Sequence, residues 1–520
     1  MSSSGNRAST FTRWPAWVSV VALAVLAKGF AFLREPVIAA AFGAHSSADA
    51  YFLAVSVPFL FYNLLGVPFS LWVTARMAAV AGGAAGAADA AGMFYRRSLS
   101  WGFGASAVLA LGLAFLSRGV VRGYAPGLEG ELLEQATAVA RLGAVALPAL
   151  VLQALCGGRL FAEHRFTTVY AWLGVGGLVG LVGVLLFTPV YGPGGAVLAF
   201  TAAWWTAGLG LLVHAHRPVT AASTIPGLPW GEDLGAGVAY RALAMQLFFQ
   251  GNGLLVYNFA SRLATGDIAA ALFAGKIIMA IYETIVLTAG VLVFPPIARF
   301  VHEGDDGAVG RAVMQALNWL VPVSVAFVVL LAVSRTDLVT LIYRRRAFDA
   351  RATALVSQAL LGYAPYVVGT TLVEILHRAM VLRGRIRGYL VVFGGALLVN
   401  WIACVVFVPR LGVMGVALAS SVGVLAAGAG LWTYAHRRLL HLEAQPLALL
   451  IGRTLAAAAV ALVVLASLQA RIPPLTSVGG RLLVLLGDAL SVGIVFGGVL
   501  FLLGHRWHRL SASGDRGAVA

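Results

Sequence analysis

The sequence predicts an all-α polytopic membrane protein, and three observations support this fold class. Of the 520 residues, 60% are hydrophobic and 11% are charged, whereas a soluble domain averages roughly 25% charged residues. The apolar runs are long and do not alternate with polar residues, which favours membrane helices over a β-barrel. The 61 glycines suit the close packing of helices in lipid.

Apolar segments of membrane-spanning length recur along the whole chain. A helix needs about 20 mostly apolar residues to cross the hydrocarbon core. The sequence offers about fourteen such segments, in this order: 15–40, 49–80, 94–117, 136–157, 166–188, 193–215, 239–264, 268–298, 311–334, 352–378, 388–408, 411–435, 449–470 and 479–504. An even number of spans places both ends of the chain on the same side of the membrane.

Short motifs repeat at a constant displacement. The pairs are YGPGGAVLAF at 191–200 with LGVMGVALAS at 411–420, TPVYG at 188–192 with VPRLG at 408–412, and HAHR at 214–217 with YAHR at 434–437. All three pairs are displaced by about 220 residues and keep their order, which is typical of an internal repeat. Two copies with an even number of spans share one orientation, so a pseudo-two-fold axis along the membrane normal relates them.

This repeat predicts two six-helix lobes followed by two further helices. We expect an N-terminal lobe at 1–217, a cytoplasmic linker at 218–238 and a C-terminal lobe at 239–438. Helices 13 and 14 with a cytoplasmic tail then occupy 439–520.

Positive charges at the segment ends predict the orientation. Arg7 and Arg13 precede the first span, Arg217 follows the sixth and Arg506 follows the last, so both termini are expected to be cytoplasmic. The membrane thus explains the net charge of +16, and no nucleic-acid partner is expected. The loop YRRRAFDAR at 343–351 is basic, but the predicted topology places it on the outer side of the membrane. Either a span is miscounted or this cluster has another purpose.

Charges inside the first apolar segment need a reason. The segment contains Lys28, Arg34 and Glu35, although a charge at the bilayer centre costs at least about 2.5–3.5 kcal/mol. Lys28 and Arg34 lie about 9 Å apart along a helix and about 240° apart around it. A break near Gly29 or before Pro36 would bring both toward one cavity. The alternatives are a snorkelling Lys28 and an interfacial Arg34 paired with Glu35.

The second half of the chain has an embedded cation of its own, Lys276. Each half therefore offers cations within the membrane, Lys28 with Arg34 in one and Lys276 in the other. This pattern predicts a cationic, water-filled cavity between the lobes. Such a cavity suits an anionic substrate, above all a phosphate or diphosphate.

Embedded or flanking acidic residues are candidates for structural, gating or ion-coupling roles. Asp49 lies in HSSADAYF, where it would complement the N-terminal dipole of the second helix or order the loop beside Arg34. Glu374 and Arg378 have the i,i+4 spacing of a helical ion pair, and they are candidates for packing or gating. Glu283 and Glu374 are candidates for binding a coupling ion.

No constellation in the sequence indicates an enzyme, a metal site or a cofactor. The chain has no P-loop, HExxH or GxSxG motif, and its two cysteines lack metal-ligand spacing. If the chain is a transporter, the membrane potential or an ion gradient is the expected energy source.

Several stretches carry a family resemblance. GFAFLREPVIAAAFGAHSSADAYFLAVSVP at 29–58 resembles the first-helix signature of the MviN-type lipid II flippases, a family of the multidrug/oligosaccharidyl-lipid/polysaccharide exporter superfamily. The residues kept in register are Phe30, Arg34, Phe42, Gly43, Asp49, Ala50 and Pro58. LFAGKIIMAIYETIVLTAGVLVFPPIAR, RRRAFDARAT and LVEILHRAMVLRGRIRGYL resemble later stretches of the same family. The likeness spans about residues 20–436.

The resemblance implies two lobes arranged as a V around a central cavity. It implies that a polyprenyl-diphosphate-linked saccharide, above all lipid II, passes from the cytoplasmic to the outer leaflet of a bacterial inner membrane by alternating access. The lipid bilayer and the cell-wall or polysaccharide synthesis machinery are then candidate partners. Lys28, Arg34 and Lys276 map onto cavity cations of the family, and Asp49 maps onto a family aspartate.

Two departures from the family pattern keep other functions open. Tyr62 stands where the family usually has an arginine, and Gly275 stands where it has an acidic residue. A flippase for another lipid-linked unit, such as O-antigen, exopolysaccharide or capsule, is the first alternative. A drug or cation antiporter and a non-transporting scaffold are the others, although an antiporter predicts a mainly acidic cavity.

Overall fold

The computed structural model describes residues 16–81, 87–216, 232–380, 386–438, 444–471 and 477–505, which are helical with short connections and contain no strand. The first half comprises α1 (Ala16–Phe42), α2 (Ser46–Phe61), a π-helical turn (Tyr62–Gly66), α3 (Val67–Ala81), α4 (Ala87–Phe115), α5 (Ser117–Tyr124), α6 (Gly130–Ala144), α7 (Ala146–Ala162) and α8 (Phe166–Ala215). The second half comprises α9 (Glu232–Ala260), α10 (Asp267–Glu303), α11 (Asp306–Tyr343), α12 (Ala350–Tyr363), α13 (Tyr366–Met380), α14 (Ile386–Leu411), α15 (Val413–Arg438), α16 (Ala444–Gln469) and α17 (Val478–Leu502). The all-α prediction is confirmed.

Many of these helices are long and apolar enough to cross a membrane. Nine spans meet this criterion in the described part of the chain, or ten if the bent pair α12 and α13 is one span. The chain is therefore a polytopic membrane protein, and the count of fourteen spans stays a prediction.

The internal repeat is visible as two equivalent helical hairpins. Helix α8 reverses at Gly192, which has φ 54°, and the chain between α14 and α15 reverses at Gly412, which has φ 56°. Only glycine adopts this left-handed conformation at no steric cost. The two turns are displaced by the same 220 residues as the sequence motifs.

The same displacement recurs in the packing beside each turn. A Cβ atom at Gly195 would lie 2.2 Å from the carbonyl oxygen of Phe187, and one at Gly415 would lie 2.5 Å from that of Phe407. Each hairpin therefore brings a helix backbone against the opposite arm, as small residues allow in membranes. The repeat reflects a repeated structure and not a chance similarity of glycine-rich helices.

The last two helices dock on α11 through polar contacts. Asp488 on α17 accepts hydrogen bonds from Ser334 on α11 at 2.6 Å and from Gln469 on α16 at 2.7 Å. Arg481 on α17 also forms an ion pair with Asp337. Buried polar groups of this kind hold helices together in lipid, where water does not compete.

The two hairpin glycines generate a stability prediction. Gly195→Ala and Gly415→Ala should each destabilise the protein by about 1–3 kcal/mol, because the added methyl group overpacks a backbone contact. Gly394→Ala on α14 is the matched control, since a Cβ there meets no atom within 4 Å. Thermal unfolding in detergent should show a lower midpoint for the first two variants alone. Equal midpoints in all three would refute the shared hairpin packing.

Candidate functional site

Helices α1 and α10 carry complementary charges and meet between the two halves of the chain. Lys28 forms an ion pair with Glu283, and the Lys276 Nζ lies 3.6 Å from the Glu35 Oε1. On each helix the lysine precedes the glutamate by seven residues, a rise of about 10.5 Å. Because the two helices run in opposite directions, each lysine meets the glutamate of the other helix. We call these four residues the charge ladder.

Arg34 points to a different neighbour. Its Nη2 lies 3.2 Å from the Glu35 Oε1, and its guanidinium carbon lies 5.7 Å from the centroid of the Phe200 ring on α8. The Arg34 side chain is 14% exposed, against 49% for Lys28. Helix α1 also continues without a break past Gly29 and through Pro36. The suggested break is therefore absent, and Lys28 and Arg34 do not share one face.

Glu35 links Arg34 to the charge ladder. Its side chain is 4% exposed, and its Oε1 approaches both Arg34 and Lys276. The sequence reasoning considered Glu35 only as a partner of Arg34. The signal that finds its second role is the equal lysine-to-glutamate spacing in the two apolar segments.

Two buried polar atoms at this point have no hydrogen-bond partner among the described residues. They are the Arg34 Nε and the Glu35 Oε2. A buried donor left unpaired costs about 1–3 kcal/mol. A ligand that satisfied both atoms would offer an acceptor to the Arg34 Nε and a donor to the Glu35 Oε2.

The predicted cluster of cations is thus a set of ion pairs with a positive excess. Lys28, Arg34 and Lys276 are matched by two carboxylates, those of Glu35 and Glu283. The lysines and Glu283 are 39–49% exposed, so their side chains are not enclosed by the protein. Pairing lowers the cost of holding these charges within an apolar helix bundle.

Asp49 joins the two halves of the chain at one end of their contact. It is 1% exposed, and its carboxylate accepts hydrogen bonds of 2.7 Å from the backbone N–H groups of both Gly266 and Ala269. Gly266 directly precedes α10, and Ala269 lies in its first turn. A carboxylate at a helix N-terminus is stabilised by the helix dipole. Asp49 lies in the first turn of its own helix α2, as predicted, and its carboxylate also caps α10, which the sequence did not predict.

The backbones of the two halves also approach closely at this end. A Cβ atom at Gly266 would lie 2.0 Å from the carbonyl oxygen of Ala44, and one at Gly127 would lie 2.2 Å from that of Ser261. The Ala347 N–H donates to the Ala40 carbonyl oxygen at 3.2 Å. We call this region, around Ala44, Asp49, Gly266 and Ala347, the closed end. The loop at 343–351 packs on the end of α1 through the backbone of Ala347, and the purpose of its basic side chains stays open.

Glu374 is the one acidic candidate that lies outside both the charge ladder and the closed end. Glu374 accepts a hydrogen bond of 3.2 Å from the Tyr282 hydroxyl, which ties α13 to α10. The Arg378 side chain lies outside the described residues, so its pairing with Glu374 stays a prediction. Among the described residues, no group of histidine, cysteine and acidic side chains is placed to hold a metal ion.

The two departures from the family pattern have distinct surroundings. Tyr62 begins the π-helical turn that separates α2 from α3, and its ring packs 6.2 Å from that of Phe59. Gly275 precedes Lys276, and a Cβ there would meet no atom within 4 Å. The space beside Lys276 is therefore open, and no packing constraint requires glycine at this position.

Comparison with known families decides where the chain belongs. A family model described as the lipid II flippase MurJ matches residues 38–487. The chain belongs to the MurJ lipid II flippase family. The match extends beyond the predicted limit of residue 436 into α17, but it begins after Lys28, Arg34 and Glu35. The family match therefore covers most of the chain but not these three residues. Their arrangement is known from the structure alone.

Solved structures of the superfamily share the fold. A structure of the lipid II flippase MurJ in an inward closed conformation has a TM-score of 0.71 and 16% identity, covering 93% of this chain and 99% of that one. An inward-facing multidrug resistance transporter of the MATE family has a TM-score of 0.67 and 14% identity, covering 81% and 98%. A superfamily transporter from Pyrococcus furiosus, described as having a binding pocket of reversed polarity, has a TM-score of 0.57 and 16% identity, covering 81% and 95%. No curated protein matches the chain in sequence.

Cross-linking tests the charge ladder directly. Cysteines at Lys28 and Glu283 should be joined by a short bifunctional maleimide, because the two side chains are in contact. The control pair replaces Leu26 and Glu283, since Leu26 is 54% exposed on another face of α1. Joining of the control pair alone, or of neither pair, would contradict the ladder.

Thiol labelling tests the closed end. Asp49→Asn removes the charge from two hydrogen bonds of about 1.5–3 kcal/mol each, so the ratio of opened to closed molecules should rise at least about tenfold. Ala44→Cys, at a residue 2% exposed, should then react faster with a membrane-impermeant maleimide. The buried Cys156 and Cys404 are replaced by alanine in all variants.

Asp89→Asn is the matched control for this experiment, since Asp89 is an exposed aspartate in the first turn of α4. If Ala44→Cys reacts at the same rate in the Asp49→Asn and Asp89→Asn variants, Asp49 does not hold the closed end together.

Proposed function

We propose that the chain moves lipid II, a polyprenyl-diphosphate-linked saccharide, from the cytoplasmic to the outer leaflet of a bacterial inner membrane by alternating access. The observation that carries this proposal is the family match over residues 38–487. The charge ladder and Arg34 add a chemical argument, because they offer cations at the depth where a diphosphate would cross.

The diphosphate acts by competing for the ladder cations. Phosphate oxygens are strong acceptors, and they replace the Glu283 and Glu35 carboxylates as partners of Lys28 and Lys276. Binding then breaks contacts that join α1 to α10. A ligand shifts a conformational equilibrium only by its differential affinity for the two states, and this exchange of partners supplies such a difference. The prenyl tail remains in lipid between the lobes.

The closed end corresponds to the outer side of the membrane in the topology that the positive charges predict. Both termini and the linker at 218–238 are then cytoplasmic, and residues 1–217 and 239–438 move as the two lobes. The contacts of Asp49 and of the loop at 343–351 block the outer exit while the substrate enters from the cytoplasmic side. Opening of the outer side requires both contacts to separate.

Return of the empty carrier draws on the membrane potential or an ion gradient. One charge crossing the membrane is worth about 2.3 kcal/mol per 100 mV. Substrate binding frees the Glu283 carboxylate, which then becomes a site for a coupling cation, with Glu374 as the second candidate. The transport cycle involves no covalent chemistry and no cofactor. The cell-wall synthesis machinery is the expected partner at each leaflet.

A flippase for a different lipid-linked saccharide is the second candidate function. Tyr62 and Gly275 favour it, because they remove an arginine and an acidic residue that the family resemblance implies. The diphosphate site would be retained in such a protein, and only the sugar pocket would differ. A drug antiporter is less well supported, since the charge ladder and Arg34 together include more cations than carboxylates.

Genetic complementation tests the proposed function. The chain is expressed in a bacterium whose own lipid II flippase can be shut off, beside Lys28→Ala, Arg34→Ala and Lys276→Ala. The wild type should restore growth and each variant should fail, because losing one charge-assisted contact of about 1.5–3 kcal/mol weakens binding at least about tenfold. Membrane levels are compared for all variants.

Arg410→Ala is the control, since Arg410 is an exposed cation at the end of α14. Failure of a well-expressed wild type would move the assignment to another lipid-linked saccharide. Rescue by Lys28→Ala, Arg34→Ala and Lys276→Ala alike would reject the role of these cations.

A further inference from the structure

A second group of arginines surrounds a cavity between α11, α12 and α17, apart from the charge ladder. The cavity has a volume of about 400 Å³, within the range of small-ligand sites. Arg335 and Arg344 line it from α11 and its end, and Arg481 lines it from α17. Thr336, Thr353 and Ser357 contribute hydroxyl groups, and the lining residues include no carboxylate.

One lining side chain is buried without a partner. Ser357 is 4% exposed, and its Oγ forms no hydrogen bond within the described part of the chain. Since the residue lines the cavity, a ligand there can pair with this hydroxyl. Leaving a buried polar group unpaired costs free energy, and an oxygen-bearing ligand would remove that cost.

The carboxylates near the cavity are already engaged. Asp337 pairs with Arg481, and the Asp349 carboxylate accepts a hydrogen bond of 2.8 Å from the Ala352 N–H at the start of α12. Arg335 and Arg344 form no ion pair with any residue that the structure describes. The cavity therefore has a positive excess that would be neutralised by an anion.

The position of the cavity favours a lipid headgroup. Leu482, Leu486 and Leu490 continue from Arg481 along one face of α17 and are 44%, 64% and 67% exposed. This apolar stripe suits contact with acyl chains. In the predicted topology, the end of α11 and the start of α17 lie at the outer surface of the membrane, at the depth of phosphate groups.

We propose that this cavity binds the phosphate group of a lipid in the outer leaflet, through Arg335, Arg344 and Arg481 with Ser357 as a hydroxyl donor. Arginine is well suited to this role, because its planar fork binds phosphate oxygens in a bidentate manner. The site is separate from the charge ladder, although Arg344 belongs to the loop at 343–351, and it gives helix α17 a binding role. A larger cavity beside Arg118 lacks this character, since Arg118 is paired with Glu134 at 2.9 Å.

Lipid binding to the purified full chain, measured by native mass spectrometry, tests the proposal. Delipidated protein is titrated with dioleoyl-phosphatidylglycerol, and in a second series with inorganic pyrophosphate. Arg335→Gln and Arg344→Gln should each weaken phosphatidylglycerol binding about tenfold, as expected for the loss of one charged hydrogen bond. Ser357→Ala, which leaves the arginines in place, should weaken it to a smaller extent.

Arg410→Gln is the matched control, because it removes an exposed arginine outside the cavity. Pyrophosphate binding with the same variant dependence would show that phosphate chemistry is sufficient, whereas a response to phosphatidylglycerol alone would show that the lipid chains are needed. Both results support the site. Binding that is unchanged in the cavity variants, or weakened equally by Arg410→Gln, would overturn it.

Discussion

The cost of placing charges in lipid constrains the centre of this molecule more than any other factor. Lys28, Glu35, Lys276 and Glu283 are tolerated because each finds an opposite charge on the other helix. This pairing requires α1 and α10 to be antiparallel and correctly aligned, since the partners are spaced by seven residues on both helices. The arrangement of the two halves therefore follows from electrostatics as well as from apolar packing.

The two links between the halves differ in kind. At the charge ladder, three half-exposed side chains and the buried Glu35 pair with one another, and in the proposed mechanism a phosphate displaces the carboxylates. At the closed end, the buried Asp49 binds backbone amides of α10 at 2.7 Å, and glycines allow the backbones to meet. A phosphate competes with the first link but not with the second. This difference gives substrate binding a direct effect on only one part of the interface.

The sequence predicted the features that depend on local composition or on repetition. Long apolar segments indicated the helices, and the repeated motifs located the turns at Gly192 and Gly412. It did not predict the partner of Asp49, because local capping rules favour the residue's own helix. It also suggested a break in α1 where none exists, since a proline within an otherwise apolar helix need not end it. Contacts between the halves depend on tertiary alignment, which no local pattern encodes.

The departures from the family pattern acquire a physical meaning from the charge ladder. Gly275 lacks the acidic side chain expected beside the cation of α10, yet Glu283 supplies a carboxylate two turns later and directs it to Lys28. The α10 carboxylate that joins the halves is therefore that of Glu283, two turns beyond Lys276. Lysine is a point charge without the fixed fork of arginine, so it exchanges a carboxylate for a phosphate oxygen without reorienting a planar group. In the proposed mechanism, a ladder of lysines and glutamates thus forms a contact that opens when the diphosphate binds.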